Sequence, residues 1–313
     1  MRLFALDAGK PFGTAVAAAL GQPLAPHLER AFEDGEHKSR PLVGVRGDDV
    51  YVVHSLYGEP GESGNDKLCR LLFFIGALKD AGAARVTAVV PYLAYARKDR
   101  RTKPRDPVMT RYLAALFEAV GTDRVVTVDV HNLAAFQNAF RRPTVHLSAV
   151  PLLARQVAER LGAAPVTVMS PDIGGVKRAA AFAEALSRAT GEPAATGFVE
   201  KHRSGGVVSG ELMAGEVAGR TVVVVDDMIA TGTTILRAAV ATHGLFVPPA
   251  DKVLADPAID SVVVTNTIPP FRLAGTPAGQ SLAIVDLAPL LAEAIGRLHG
   301  GGSLVDLAEG EAV

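Results

Sequence analysis

The residues best able to do chemistry lie in the stretch Thr221-Val-Val-Val-Val-Asp-Asp-Met-Ile-Ala-Thr-Gly-Thr-Thr234. Two adjacent carboxylates, Asp226 and Asp227, come straight off a run of valines. Thr231, Gly232, Thr233 and Thr234 come after them. Glycine lets backbone N–H groups close on an anion, and threonine hydroxyls add donors. A helical pattern begins at Ile235, so a helix N-terminus with its positive dipole end is expected beside the loop. That combination suits a phosphate. The paired carboxylates suit the diol of a sugar, or a magnesium ion held directly or through water. Such a pair at the end of a buried strand is costly without a partner. The loop therefore reads as a ribose 5-phosphate site.

Other stretches offer complementary groups. Arg97, Lys98, Asp99 and Arg100 form a dense charged run beside Tyr92 and Tyr95. Arginine forks onto phosphate oxygens, and a carboxylate accepts from an amino group. His131 follows Asp129 at a strand end, and Asp172 lies in Ser170-Pro-Asp-Ile-Gly-Gly175. Lys201 and Arg203 precede Gly205 and Gly206, which reads as a mobile loop bearing cations. Each has a plainer reading: a solvated charged loop, a surface histidine, an exposed hairpin tip. No cluster of histidine and cysteine has the spacing of a zinc site.

The elements that must position these groups alternate in type. Strands are expected at Val50–His54, Arg85–Val90, Arg124–Val128, Val166–Met169, Thr221–Val225, Ser261–Thr265 and Ser281–Val285. Helices are expected at Lys67–Ala81, Thr110–Val120, Val150–Leu161 and Val176–Thr190. This alternation predicts an α/β chain with parallel sheets and right-handed crossovers. The pattern occurs twice, with a break near Ser148–Pro151. The expectation is two similar domains, residues 1–148 and 149–313, each a mainly parallel sheet flanked by helices. Arg97, His131, Asp172 and the Asp226–Asp227 pair all fall past strand ends, where open α/β sheets bind ligands. Gly300-Gly-Gly-Ser303 reads as a flexible hinge.

Composition narrows the classes. A chain of 313 residues with 49% hydrophobic content can fill two cores. A net charge of −1 argues against a general nucleic-acid binder. The single cysteine, Cys69, excludes an internal disulfide and fits a reducing compartment; its apolar surroundings read as core. No apolar run is long enough for a membrane span, so a cytoplasmic protein without membrane partners is expected.

Taken together the motifs resemble the ribose-phosphate diphosphokinase (PRPP synthetase) family, whose domains have the phosphoribosyltransferase fold. The similar segments are Pro91–Pro107, Ser170–Gly175, Lys201–Arg203, Phe32–Glu36 and Asp129–His131, with the 221–234 loop, and they span Arg2 to about Leu298. The resemblance implies transfer of diphosphate from ATP to the C1 hydroxyl of ribose 5-phosphate, giving PRPP and AMP with Mg2+. It implies that the first domain serves ATP and the second ribose 5-phosphate. It implies that Arg97, Lys98, Asp99 and Arg100 meet ATP, and that His131 and Asp172 associate with the magnesium–ATP complex. Lys201 and Arg203 become the catalytic cations. Phe32, Asp34 and Glu36 reach the ATP of a neighbouring subunit, so a homo-oligomer, a dimer or higher, is implied.

The chain departs from the family pattern in places. Ala230 replaces an aspartate of the loop, His202 an arginine, and Glu33 a serine. Ile235–His243 reads as about two helical turns and is short, so the second domain is expected to lack a helix end and a strand. Met109-Thr-Arg111, the 131–140 segment and the C-terminus differ from the class activated by phosphate and inhibited by ADP at a distant site. Two other readings stay open: a transferase that consumes PRPP, and a catalytically silent regulatory homologue.

Overall fold

The computed structural model describes all residues except 163, 205–206, 232–237 and 310–313; for 200–212, 308 and 309 it describes the backbone alone. The chain divides into two compact units, Met1–Ser148 with Leu287–Val313, and Ala149–Asp286. The first break falls where the sequence pattern pauses. The second differs from expectation, because the tail from Leu287 groups with the first unit rather than the second.

The first unit contains β1 (Arg2–Ala5), α1 (Lys10–Leu20), β2 (His27–Ala31), β3 (His37–Pro41), β4 (Asp49–Val53) and α2 (Gly64–Asp80). Then come β5 (Arg85–Val89), α3 (Met109–Ala119), β6 (Arg124–Val128), α4 (Leu133–Ala139) and β7 (Thr144–Leu147). The sheet order β1-β4-β5-β6-β7 is parallel throughout. Its strands are nearly all apolar because both faces are covered. Phe4, Val52, Leu71, Phe74, Ile75, Val86 and Phe117 pack into one core, and each fully buried side chain of this size contributes about 1.5–3 kcal/mol. The antiparallel pair β2–β3 forms a separate hairpin rich in charged residues.

Helix α2 starts at a capping box, Ser63 with Asp66. It buries Leu68, Leu71, Leu72 and Ile75 and turns Cys69 and Phe73 outward. Cys69 is thus exposed, not core: it shares the outer face with Phe73, four residues on.

The second unit contains α5 (Val150–Ala158), β8 (Val166–Ser170), α6 (Val176–Thr190), β9 (Ala195–Ser204), β10 (Val207–Ala214) and β11 (Thr221–Ile229). It continues with β12 (Ala238–Gly244), α7 (Ala250–Val253), β13 (Ser261–Thr265), α8 (Pro277–Gln280) and β14 (Leu282–Val285). The sheet order is β10-β9-β8-β11-β12-β13-β14, parallel except for the antiparallel edge pair β9–β10.

Residues 238–243 are strand, not the helix expected from their alanines. Their helix propensity is overridden by the place they fill, a buried central position between β11 and β13. The neighbouring strand is therefore present, and the shortening falls on residues 230–237, fewer than the dozen or so usual for a parallel crossover.

The tail forms α9 (Ala288–Gly300) and α10 (Val305–Glu309). Leu290, Leu291 and Ile295 are buried, α9 packs against α1, and His299 Nδ1 lies 2.9 Å from Asp49 Oδ2. An amphipathic stripe predicts burial but does not name the surface that buries it. The Gly300–Ser303 segment is a helix end and not a hinge. Gly301 takes the left-handed cap conformation at φ 76°, and Arg297 donates to the Ser303 carbonyl and to Asp306.

Candidate active site

In the first unit the polar groups gather beyond the carboxyl ends of β5 and β6. Arg97 and Arg100 are exposed, and Lys98 and Asp99 half-buried, in the loop that leaves β5. Lys98 Nζ donates to Asp106 Oδ2 at 2.5 Å, and Thr102 and Lys103 donate backbone N–H groups to the same oxygen. The Lys98 ammonium, ahead of the other donors, holds the Asp106 carboxyl far below the usual range. This knot fixes the loop and leaves Arg97 and Arg100 facing solvent. Asn132 Nδ2 donates to Asp99 Oδ2 at 2.5 Å, tying the loop after β5 to the one after β6. Exposed His131 is Asn132's neighbour, so the structure brings the charged run and the histidine to one edge.

Phe32, Asp34 and Glu36 occupy the turn between β2 and β3. Phe32 donates its N–H to the Glu36 carbonyl at 2.7 Å, Glu36 N–H donates to Asp34 Oδ1 at 3.0 Å, and Gly35 adopts φ 90°. Phe32 is half-buried beneath the Arg30 guanidinium, 5.1 Å from its ring centre, while both acids are exposed.

In the second unit Asp226 and Asp227 lie within β11, not past its end, because β11 continues to Ile229 and Asp226 pairs with Ala241 of β12. Pairing with β8 ends at Val224, and β12 alone carries the strand on to Ile229, which four valines could not announce beyond their own run. Asp227 is buried, with 2% of its side chain exposed, against 38% for Asp226. Burial first, then the charge of Asp227, pushes the Asp226 carboxyl up to about 7, so the pair holds a proton near neutrality.

Arg178, in the first turn of α6, places Nη1 2.8 Å from Asp226 Oδ1 and 3.3 Å from Asp227 Oδ1. Sequence reasoning missed this residue. Its signal was a cation six residues past Asp172, but only the packing of α6 on β11 aims it at the acids.

Asp172 is exposed and caps the short turn Ile173–Gly175, accepting from Gly175 N–H at 2.9 Å. Gly175 is required there, since a Cβ would lie 2.5 Å from Ser170 Oγ. Thr231 is half-buried in a bend after β11, whereas Gly232, Thr233, Thr234 and the expected helix start at Ile235 lie outside the described residues. Lys201 and Arg203 stand on strand β9, opposite Glu211 and Val208 of β10, and not in a loop. The following glycines, 205 and 206, lie outside the described residues. Two adjacent carboxylates can hold a cation directly or through water, and a bound cation would compete with the proton and with Arg178 for them.

The comparisons with known proteins cover the whole chain. The N-terminal domain of ribose phosphate pyrophosphokinase matches residues 1–121, a phosphoribosyl transferase domain matches 146–243, and a phosphoribosyl synthetase-associated domain matches 210–308. The chain is 35% identical to the ribose-phosphate pyrophosphokinase of Granulibacter bethesdensis, over 98% of this chain and 99% of that one. It is 36% identical to that of Caldanaerobacter subterraneus subsp. tengcongensis, over 98% and 97%. It is similar to the crystal structure of phosphoribosylpyrophosphate synthetase from Mycobacterium smegmatis, with a TM-score of 0.86 and 33% identity over 96% of this chain and 99% of that one. Matches of this extent, on a fold of two mainly parallel sheets, establish that the chain belongs to the ribose-phosphate pyrophosphokinase family.

Proposed function

We propose that this chain transfers the diphosphoryl group of ATP to the C1 hydroxyl of ribose 5-phosphate, releasing AMP and PRPP. The observation that carries the reading is the end-to-end match to pyrophosphokinases, including the N-terminal domain that a phosphoribosyltransferase of the PRPP-consuming kind has no reason to possess. Asp226 and Asp227 hold the ribose hydroxyls, and Thr231, Gly232, Thr233 and Thr234 receive the 5-phosphate. The attacking hydroxyl is neutral while the ATP oxygens are densely charged. Positioning and neutralising charge therefore matter most.

Arg97 and Arg100 meet the phosphates, Asp99 the adenine amino group, and Lys98 braces the loop through Asp106. Phe32, Asp34 and Glu36 present an aromatic ring and two acceptors to the base of a neighbouring subunit's ATP, which makes self-association part of the site. Lys201 and Arg203 stabilise charge that develops as the diphosphoryl group moves. Mg2+ is the metal of this reading: in the second unit Asp172 and the Asp226–Asp227 pair would hold it directly or through water, in the first unit His131 would help to bind the magnesium–ATP complex, and when bound the ion neutralises phosphate charge.

The first unit's residues 1–148 serve ATP and the second unit serves the sugar phosphate. Among the described residues no helix is long and apolar enough to cross a membrane. A cytoplasmic location belongs to the same reading, since ATP is the substrate and the chain has no cysteine pair.

The test is AMP release from ATP, which should require ribose 5-phosphate and vanish in Asp227→Ala while the circular dichroism of that variant matches the parent. Binding of both substrates without AMP release would identify a silent regulatory homologue instead. Ala230 and the short 230–237 connection make that comparison informative.

A further inference from the structure

The strands of the first unit bring together three donors that the proposed reaction does not use. His27 and Glu29 stand two residues apart on β2, so their side chains share a face. Asp7 heads the short turn Asp7–Gly9 that follows β1. His27 Nε2 lies 3.0 Å from Glu29 Oε1 and 3.8 Å from Asp7 Oδ1, and the ligand atoms of all three lie within 4.8 Å of one another. The side chains of His27 and Glu29 are 8% and 7% exposed, while that of Asp7 is 64% exposed, so the cluster is walled on the protein side and open on one side.

The donors are two carboxylate oxygens and one imidazole nitrogen. That set suits zinc-class divalent ions, whereas Mg2+ takes oxygen donors and water. Arg70 Nη1 sits 3.6 Å from Glu29 Oε2 and so balances one carboxylate from the side away from His27.

A second, independent feature adjoins the cluster. His54, just past β4, is 1% exposed, and neither ring nitrogen has a hydrogen-bond partner among the described residues. Its Nδ1 faces the Asp7–Gly9 turn, since a Cβ on Gly9 would lie 3.1 Å from that atom. It is within electrostatic reach of Lys67 and Arg70 as well as of Glu29 and His27, so the carboxylates of the cluster must offset two nearby cations as well as the ion. A buried imidazole with both nitrogens unpaired is unfavourable unless a ligand or water joins it.

We infer that Asp7, His27 and Glu29 form a binding site for a zinc-class divalent cation, with His54 as the inner group that the ion or its bound water satisfies. Glu29 Oε1 accepts from the Asp7 N–H at 2.6 Å and from His27, contacts that the cation would take over.

The full chain, stripped with a chelator and free of nucleotide, is titrated with Co2+ as a spectroscopic stand-in for Zn2+. One equivalent should give visible d–d absorption. His27→Ala should abolish it, and Asp7→Asn should weaken binding at least about 10-fold. His131→Ala and Asp172→Asn should leave it unchanged. Zn2+ should raise the melting temperature of the parent more than that of Asp7→Asn. Asp7 is exposed, so its variant decides the matter should His27→Ala fail to fold. Absence of the bands at millimolar Co2+, or bands indifferent to Asp7→Asn and His27→Ala, would overturn the site and leave a hydrogen-bond network that fastens the first turn to β2.

Discussion

Asp226 and Asp227 show the cost of placing two acids side by side. Two acids side by side in a buried strand repel, and Arg178 offsets only part of that repulsion. The folded Asp226 carboxyl is raised to about 7, above an unfolded value near 3.9, so the folded state binds the extra proton. Its contribution to stability is present below about pH 4 and is lost as pH rises toward 7. Asp226→Asn should therefore raise the melting temperature at pH 8 and leave it nearly unchanged at pH 4. An equal shift at both pH values would show that the carboxyl is not raised. The pair itself was legible from two adjacent aspartates after four valines. Arg178 was not, because a helix's first turn points wherever the sheet beneath it directs.

At the scale of elements, β9 with β10 and the segment 54–67 carry separate lessons. Lys201 and Arg203 were read as loop residues because two glycines follow them, yet an antiparallel partner extends the strand through Ser204. We expect Lys201→Ala to lower kcat by about 10²-fold with little change in the KM for ATP, as for a cation acting in the transition state. A rise in KM alone would make it a binding residue. In the first unit Lys67 is fully buried, with Nζ 2.5 Å from Glu59 Oε1 and 3.5 Å from the centre of the Tyr57 ring. Glu59→Ala leaves that ammonium without its counter-ion and should cost about 3 kcal/mol in a denaturant titration. Lys67→Met, which removes the charge and keeps the volume, should cost much less; the reverse order would refute this account. Nothing in the sequence marks Lys67 as buried, since charged residues on helices are mostly exposed.

For the molecule as a whole, the site is proposed to need more than one subunit. Phe32, Asp34 and Glu36 stand at the tip of a hairpin, and nearby Phe73 is 60% exposed while stacking on His37. A subunit carrying Phe32→Ala and one carrying Arg97→Ala, each inactive alone, should regain partial activity when mixed. Some interfaces then pair an intact Phe32 with an intact Arg97. No recovery after subunit exchange has been verified by mass spectrometry would place the whole site within one chain.

Local chemistry determined much of this protein from sequence alone. Apolar runs such as Thr221–Val225 and Val86–Val89 need cover on both faces, which points to parallel sheets. Motif residues at strand ends placed the charged run and His131 at one edge. Tertiary structure decided what depends on neighbours. It made Ala238–Ala241 a strand, because a gap between β11 and β13 outweighs the helix propensity of alanine. It assigned α9 to the first unit, because an apolar stripe fits any complementary surface. It set Arg178 against the acids and His54 beside Asp7, His27 and Glu29. Such contacts join residues far apart in the chain, and no local pattern records them.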